Sequence, residues 1–397
     1  MSDVSDRMHF VALLAALASL GPFAMQSLAP ALPMIGASFS VSPQAAQTML
    51  STSVLAIGVA TLLLGPLSDH FGRRPVALWA VGVTAAASLL VAIAPTIESA
   101  VAARFVQAGA AGAGMVLGRA VARDRYDAAA AGGVIAQITA VMVVVPMVAP
   151  LIGGAVASVA GWRGVFVFTA FFAAAVWLWA KATMAESIVE RAPTLSFAET
   201  WRSFRAVGAQ RRFWAYCMVG VTSLSSFLFF VGTAPYVAAE GFGAGPEVYG
   251  LGFLFVGGGY MASNLAYARL SGRVRGDLLM IGGMIGAVAS AGSVGVAVLL
   301  GWSGLETVFA AAVLNSLCAG LIVPNAMAGA VSAYPQRAGA ASSLLGFAQF
   351  AFAALVTQLG AAIPHGDAAP MSLAMAGLSA AGLVGFLAII GGRKPQS

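Results

Sequence analysis

The stretch Gly65-Pro66-Leu67-Ser68-Asp69-His70-Phe71-Gly72-Arg73-Arg74 places an acid and two arginines between two long apolar runs. Upstream, residues 10–68 contain no Asp, Glu, Lys or Arg, and a bilayer-spanning helix needs only about 20 such residues. The charged island therefore reads as the turn joining two spans. Gly65 and Gly72 permit a tight turn, while Asp69, Arg73 and Arg74 are placed to exchange charge-assisted bonds and to meet helix-terminal dipoles at the membrane face. A cluster of this kind can lock one conformation and release it in another.

The rest of the chain agrees. Its 397 residues are 60% hydrophobic and 9% charged, against about a quarter charged in a soluble domain. Residues 128–162, 213–239 and 278–305 are also free of charge. Backbone in hydrocarbon must satisfy its own hydrogen bonds, leaving helices or closed barrels. These segments are apolar all round and lack the alternation of barrel strands, and their glycines suit close helix packing in lipid. The net charge of +6 is spread over short loops and forms no nucleic-acid site. Cys217 and Cys318 lie in separate expected helices, so neither a disulfide framework nor a zinc site is indicated. The first apolar run continues through Pro22 and Pro30 without a convincing cleavage site and reads as a retained helix. His9, His70 and His365 are isolated near span ends without metal-ligand spacing and read as solvated or interfacial. No Ser-His-Asp grouping is suggested, and no enzyme activity, metal or cofactor is expected. No GxxxxGK[ST] loop occurs, which argues against direct ATP drive.

Charges, prolines and glycines punctuate the chain into spans at 9–29, 44–66, 75–95, 98–120, 131–157 and 163–183, then at 213–238, 246–268, 277–300, 304–330, 339–362 and 371–391. The expectation is an all-α membrane protein of twelve transmembrane helices in two pseudo-symmetric six-helix bundles. Residues 1–184 form the first bundle, 185–212 a cytoplasmic central loop and 213–397 the second bundle. The segment Arg269-Leu270-Ser271-Gly272-Arg273-Val274-Arg275-Gly276-Asp277 is a degenerate counterpart of the first loop. Paired six-helix halves about a midplane site are one architecture of secondary transporters. Arg7, Arg73, Arg74, Arg123, Arg125, Lys181, the arginines of 191–212, Arg269, Arg273, Arg275, Arg337, Arg393 and Lys394 fall on the side of the termini, and Arg163 on the other. By the positive-inside rule both termini and the central loop are cytoplasmic.

Arg104 lies well inside the fourth span, where a charge is costly and faces a cavity or a partner. It reads either as a cavity cation that binds substrate or relays protons, or as an arginine that snorkels outward or bonds to a neighbouring helix. Pro146-Met147-Val148-Ala149-Pro150-Leu151-Ile152-Gly153-Gly154 in the fifth span combines residues that bend a helix with residues that permit close sliding contact. Tyr236, Asn325 and Gln349 offer polar groups in spans otherwise rich in Phe and Met, for a cavity or for bonds between helices. Gly112-Ala113-Gly114 and Gly257-Gly258-Gly259 follow no strand and read as packing positions.

These residues carry a resemblance. The Gly65–Arg74 loop resembles the first signature of the major facilitator superfamily, and Arg104, Gln107 and Gly109 resemble its fourth-helix signature. Gly118-Arg119-Ala120-Val121-Ala122-Arg123-Asp124, Gly320-Leu321-Ile322-Val323-Pro324-Asn325, the run from Ala338 to Gln349 and Thr233-Ala234-Pro235-Tyr236 are similar to its bicyclomycin- and chloramphenicol-resistance branch. Pro146, Pro150, Gly153 and Gly154 match the signature of its antiporters. The resemblance implies a monomeric exporter of small amphipathic drugs or antibiotics in a bacterial-type inner membrane, working by proton antiport. The alternative keeps the fold and exports an endogenous metabolite such as an amino-acid derivative, nucleoside or siderophore. A third possibility is a transporter-like scaffold or sensor.

One departure bears on the mechanism. The branch has an acid in Pro-x-x-x-Asp-x-x-x-Pro-Ala-x-Pro, and here Gln26 stands in its place within Pro22-Phe23-Ala24-Met25-Gln26-Ser27-Leu28-Ala29-Pro30. Glutamine does not titrate, and Asp69, Glu98, Glu240, Asp277 and Glu306 all lie near expected span ends. A cavity with Arg104 and no acid favours neutral or anionic substrates over lipophilic cations.

Overall fold

The computed structural model describes residues 2–188, 191, 197–302 and 304–391, and these are almost entirely helical. Arg393 and Lys394, and residues 189–190 and 192–196 of the expected central loop, lie outside the described residues. The chain divides into two compact units, Met1–Leu195 and Ser196–Ser397.

The first unit contains α1 (Ser2–Leu28), α2 (Leu32–Phe39), α3 (Pro43–Phe71), α4 (Arg73–Ala92), α5 (Ile97–Ala111), α6 (Ala113–Arg125) and α7 (Ala128–Thr183). Local chemistry sets the starts. Ser42 accepts from Ala45 N at 3.3 Å, with Pro43 in the first helical turn. Thr96 and Ser99 form a capping box, and Asp127 Oδ1 accepts from Ala130 N at 2.8 Å. Each side chain satisfies an amide that the helix leaves open. The expected span 98–120 is divided at Gly112 into α5 and α6. The expected spans 131–157 and 163–183 form one helical run interrupted at Gly161, whose φ of 69° and ψ of 177° end one span and begin the next. Glycine tolerates that backbone where other residues do not.

The second unit contains α8 (Phe197–Gly208), α9 (Arg211–Tyr236), α10 (Pro246–Leu270), α11 (Gly276–Leu299), α12 (Leu305–Ser332), α13 (Ala338–Gly360) and α14 (Ala369–Gly391). The polar stretch before residue 212 thus carries a helix, α8, which packs on α9 and α13. By length and composition ten stretches among the described residues can cross a bilayer, the longest being double at Gly161. With α10, whose 25 residues are long enough to span, the helices of spanning length among the described residues are twelve.

The two units repeat one packing scheme. In the first, α1 packs on α6 and α7, α3 on α5 and α6, and α4 on α5 and α7; in the second, α9 packs on α12 and α13, α10 on α12, and α11 on α12 and α14. The equivalent helices α1 and α9 are the most enclosed spans, whereas α14 leaves most of its surface uncovered. Leu13, Leu14, Leu17 and Ala18 anchor one core, and Phe213, Val219, Met280 and Leu345 the other. Two glycines let α1 sit deep: a Cβ on Gly114 would fall 1.8 Å from Leu17 O, and one on Gly153 2.1 Å from Ser27 O. Of the two other glycine runs, Gly114 and Gly259 are packing positions, since a Cβ on Gly259 would meet Val313 O at 2.9 Å.

Candidate functional site

The turn between α3 and α4 is tighter than the sequence suggests. Gly65 is helical within α3, with open space around its Cα, and the chain reverses at Gly72 alone, at φ 102° and ψ 150°. The role expected for Gly65 in the turn is therefore corrected, because α3 runs on to Phe71. Arg73 is almost fully buried. Its Nη1 pairs with Asp69 Oδ1 at 2.5 Å and its Nε with Asp124 Oδ2 at 2.9 Å, while its backbone N donates to Glu186 Oε1 at 2.9 Å. Arg74 reaches the last turn of α7, donating to Met184 O at 2.7 Å and Lys181 O at 3.1 Å. A cation there meets open carbonyls and the negative end of the helix dipole. Asp69, Arg73 and Arg74 thus bind the ends of α3, α4, α6 and α7 at one membrane face. Sequence reasoning missed Glu186, which lies 113 positions from Arg73 in a segment without periodicity.

Arg104 is fully buried on α5. Its Nη1 donates to Gln107 Oε1 one turn on, its Nη2 donates to Ala24 O of α1 at 2.7 Å, and its guanidinium lies 5.6 Å from the centre of the Phe166 ring. Gln107 Nε2 donates in turn to Ser88 Oγ of α4, which donates to Thr84 O at 2.7 Å. The network therefore couples α5 to α1, α4 and α7. Of the two readings of Arg104, these contacts show bonding to neighbouring helices. One donor, Nε, has no hydrogen-bond partner, so the guanidinium keeps an unused N–H.

Gln26, two residues beyond Ala24 on α1, is buried with neither amide atom hydrogen-bonded. A buried polar group without a partner costs about 1–3 kcal/mol, so such a group marks a position where a polar ligand or water is worth binding. The antiporter-like segment lies in α7 against the same part of α1. Pro146 and Pro150 lie inside that helix, and Gly153 touches the Ser27 carbonyl. Gly154, beside it, is buried.

In the second unit the expected polar residues are separate. Asn325 Nδ2 donates to Leu321 O of its own helix at 2.7 Å, and its Oδ1 lies over Gly276 at the start of α11. Gln349 of α13 lies over Gly220 of α9, where a Cβ would come within 2.6 Å of Nε2. Tyr236 closes α9, buried, with its hydroxyl unpartnered. It stacks on His365 at a centroid distance of 5.1 Å and 24°. That contact corrects the view of His365 as solvated or interfacial: the imidazole is buried, and Nδ1 lies 3.7 Å from Glu240 Oε2. The two residues are far apart in sequence, and no local pattern announces their meeting.

Comparison with known proteins agrees with this architecture. A profile of the Major Facilitator Superfamily matches residues 12–357. The chain is 27% identical over 396 residues to a bicyclomycin resistance protein homolog of Haemophilus influenzae, covering 94% of each chain. It is 30% identical over 274 residues to the multidrug transporter MdfA of Yersinia pestis, covering 66% of each. The crystal structure of a D-xylose-proton symporter shares the fold, with a TM-score of 0.74 at 14% identity over 96% of this chain and 97% of that one. The helices, the charged turn and the matched profile together place this chain in the major facilitator superfamily, as a multi-pass membrane transporter.

Proposed function

We propose that this transporter exports small amphipathic drugs or antibiotics, neutral or anionic, from the cytoplasm by alternating access coupled to inward proton movement. It works as a monomer in a bacterial-type inner membrane with both termini in the cytoplasm. Arg104 carries the reading. A fully buried guanidinium whose hydrogen-bond partners are an amide and a carbonyl is expensive in a membrane interior unless it has a task. Its spare Nε suits a carbonyl, nitro or acidic oxygen of a ligand. Similarity to transporters named for bicyclomycin resistance and multidrug transport supports the substrate class.

Gln26, Arg104 and Gln107 form the substrate and relay set of the first unit, and Tyr236, Asn325 and Gln349, which lie apart from one another in the second, offer further polar contacts. Asp69, Gly72, Arg73 and Arg74 lock and release the cytoplasmic face, and the glycines of α7 slide on α1. The test is accumulation of a panel of drugs and metabolites in cells lacking their own efflux pumps. The strains carry this protein, its Asp69→Asn variant or an empty vector. Lower accumulation of amphipathic drugs, lost in the variant and on collapse of the proton gradient, supports the reading. Unchanged drug levels with a shifted metabolite move the assignment to a metabolite exporter.

A further inference from the structure

Helix α8 has 12 residues, which makes it about 18 Å long and too short to cross a bilayer. Its inner side is fastened to the ends of two spans. Val207 is fully buried in the core that holds Phe213, and Phe204 is half-buried. Ser203 Oγ accepts from Arg337 Nη1 at 2.9 Å, and Gly208 O accepts from Trp214 Nε1 at 2.7 Å. Arg337 caps the start of α13, and Trp214 lies in the first turn of α9. α8 is therefore held at the depth at which both spans begin, which is the level of lipid headgroups.

The outer side has a different chemistry. Trp201, Arg202 and Arg205 are exposed, the indole to 69%, and Trp201 and Arg205 are neighbours on the helix surface by their spacing of four. The same character continues into α9, where Arg211, Arg212 and Trp214 are exposed. Between residues 197 and 214 the chain has four arginines and one acid, Glu199. Arg211 Nη2 reaches Ala388 O of α14 at 3.5 Å, and the Arg212 guanidinium lies 5.8 Å from the centre of the Tyr216 ring. Among the described residues the ion pairs leave out Arg205, Arg211 and Arg212, so their charges are open to an anion from outside.

We propose that α8 and the first turn of α9 form a binding surface for anionic phospholipid headgroups, with Arg205 and Arg211 on lipid phosphates and Trp201 seated among the acyl chains. A short helix with arginines and an indole on its open side lies in the membrane interface. There the apolar body of the indole leaves water while its N–H stays wet. Guanidinium matches the geometry of phosphate oxygens with paired N–H donors, and basic residues beside a span are drawn to an anionic leaflet. An arginine and an indole four residues apart suit a ligand with a charged head and apolar tails, which a free phosphate lacks. Because α8 is bonded to the starts of both α9 and α13, a headgroup held on it ties that end of the bundle to the bilayer surface.

The experiment is native mass spectrometry of the purified full-length protein offered equal amounts of phosphatidylglycerol and phosphatidylcholine. The quantity read is the ratio of the two lipids retained. The unaltered protein should favour phosphatidylglycerol by about 20-fold or more, since each arginine at a lipid surface contributes about fivefold. Arg205→Gln should lower the ratio about fivefold, and Arg205→Gln with Arg211→Gln should bring it to about 1, whereas Arg205→Lys should keep most of it. Trp201→Ser should reduce retention of both lipids and leave their ratio unchanged. Arg273→Gln removes the same charge from the turn between α10 and α11 and should change nothing. All the substituted side chains are exposed, so these variants keep the fold. A ratio of about 1 for the unaltered protein, or an equal fall in Arg273→Gln, would overturn the proposal. So would loss of the preference on adding inorganic phosphate, which would make this a site for a free anion.

Discussion

Arg73 holds two carboxylates at once, Asp69 on Nη1 and Asp124 on Nε at 2.9 Å, so one guanidinium joins the α3–α4 turn to the end of α6. The two acids are not equivalent, because the Asp124 side chain is 23% exposed and that of Asp69 47%. Water screens the second pair far more. Asp124→Asn is expected to lower thermal stability in detergent by about 1.5 kcal/mol, near the value for a hydrogen bond to a charged group. Asp69→Asn is expected to cost about 0–1 kcal/mol. A melting series checks the order, and equal losses would show that Asp124 is screened as well.

Gly72 has both a positive φ and no room for a side chain, since a Cβ would lie 2.4 Å from Glu186 Oε2. Gly72→Ala should cost about 1–3 kcal/mol through backbone strain and displace Glu186 from the amide of Arg73. Reduced yield of folded protein in size-exclusion chromatography is the readout; a normal profile would mean that the turn can relax.

Gly153 and Gly65 make opposite predictions although both belong to signature segments. Gly153→Ala drives a methyl group into the Ser27 carbonyl, whereas Gly65 has nothing within 4 Å. The first should lose about 1–3 kcal/mol or more, as overpacked sites do, and the second should be close to neutral or slightly stabilising in its helix. Thermal melting of both variants gives the comparison.

Arg104→Lys should not rescue the function lost in Arg104→Ala. The native side chain sends separate nitrogens to Gln107 and Ala24 O, a forked geometry that an ammonium cannot reproduce. Drug efflux at least about tenfold below the native level is expected for both, the equivalent of about 1.4 kcal/mol. Near-native efflux by the lysine variant would show that charge alone matters.

Gln26→Glu places an acid where the amide has no partner. The new charge should admit lipophilic cations, and ethidium accumulation in pump-deficient cells should fall about threefold or more, as roughly 0.6 kcal/mol of added selectivity implies. An unchanged level would separate substrate charge from this position.

Much of the molecule was legible in one dimension because the bilayer imposes a one-dimensional rule: about 20 apolar residues make a span. Charge-free runs and the Gly72-Arg73-Arg74 turn therefore located the helices. The helix breaks were less legible. Gly112 interrupts a span while keeping helical torsion angles, φ −61° and ψ −20°, and α3 carries Gly65 as an ordinary helical residue, since permissive glycine adopts whichever conformation its surroundings favour.

Arg104 could be recognised as unusual from its position, and the segment from Pro146 to Gly154 as a place of close contact, because composition reports cost and size. Their partners belong to the folded chain. Ala24 O and the Ser27 carbonyl meet these residues only after α1, α5 and α7 have packed, and backbone acceptors leave no mark in a side-chain sequence. His365 and Glu240 show the same division most plainly: each residue alone resembles a surface group near a span end. The turn after α9 and the approach allowed by Gly241 bring them together, with the imidazole buried and the carboxylate half exposed.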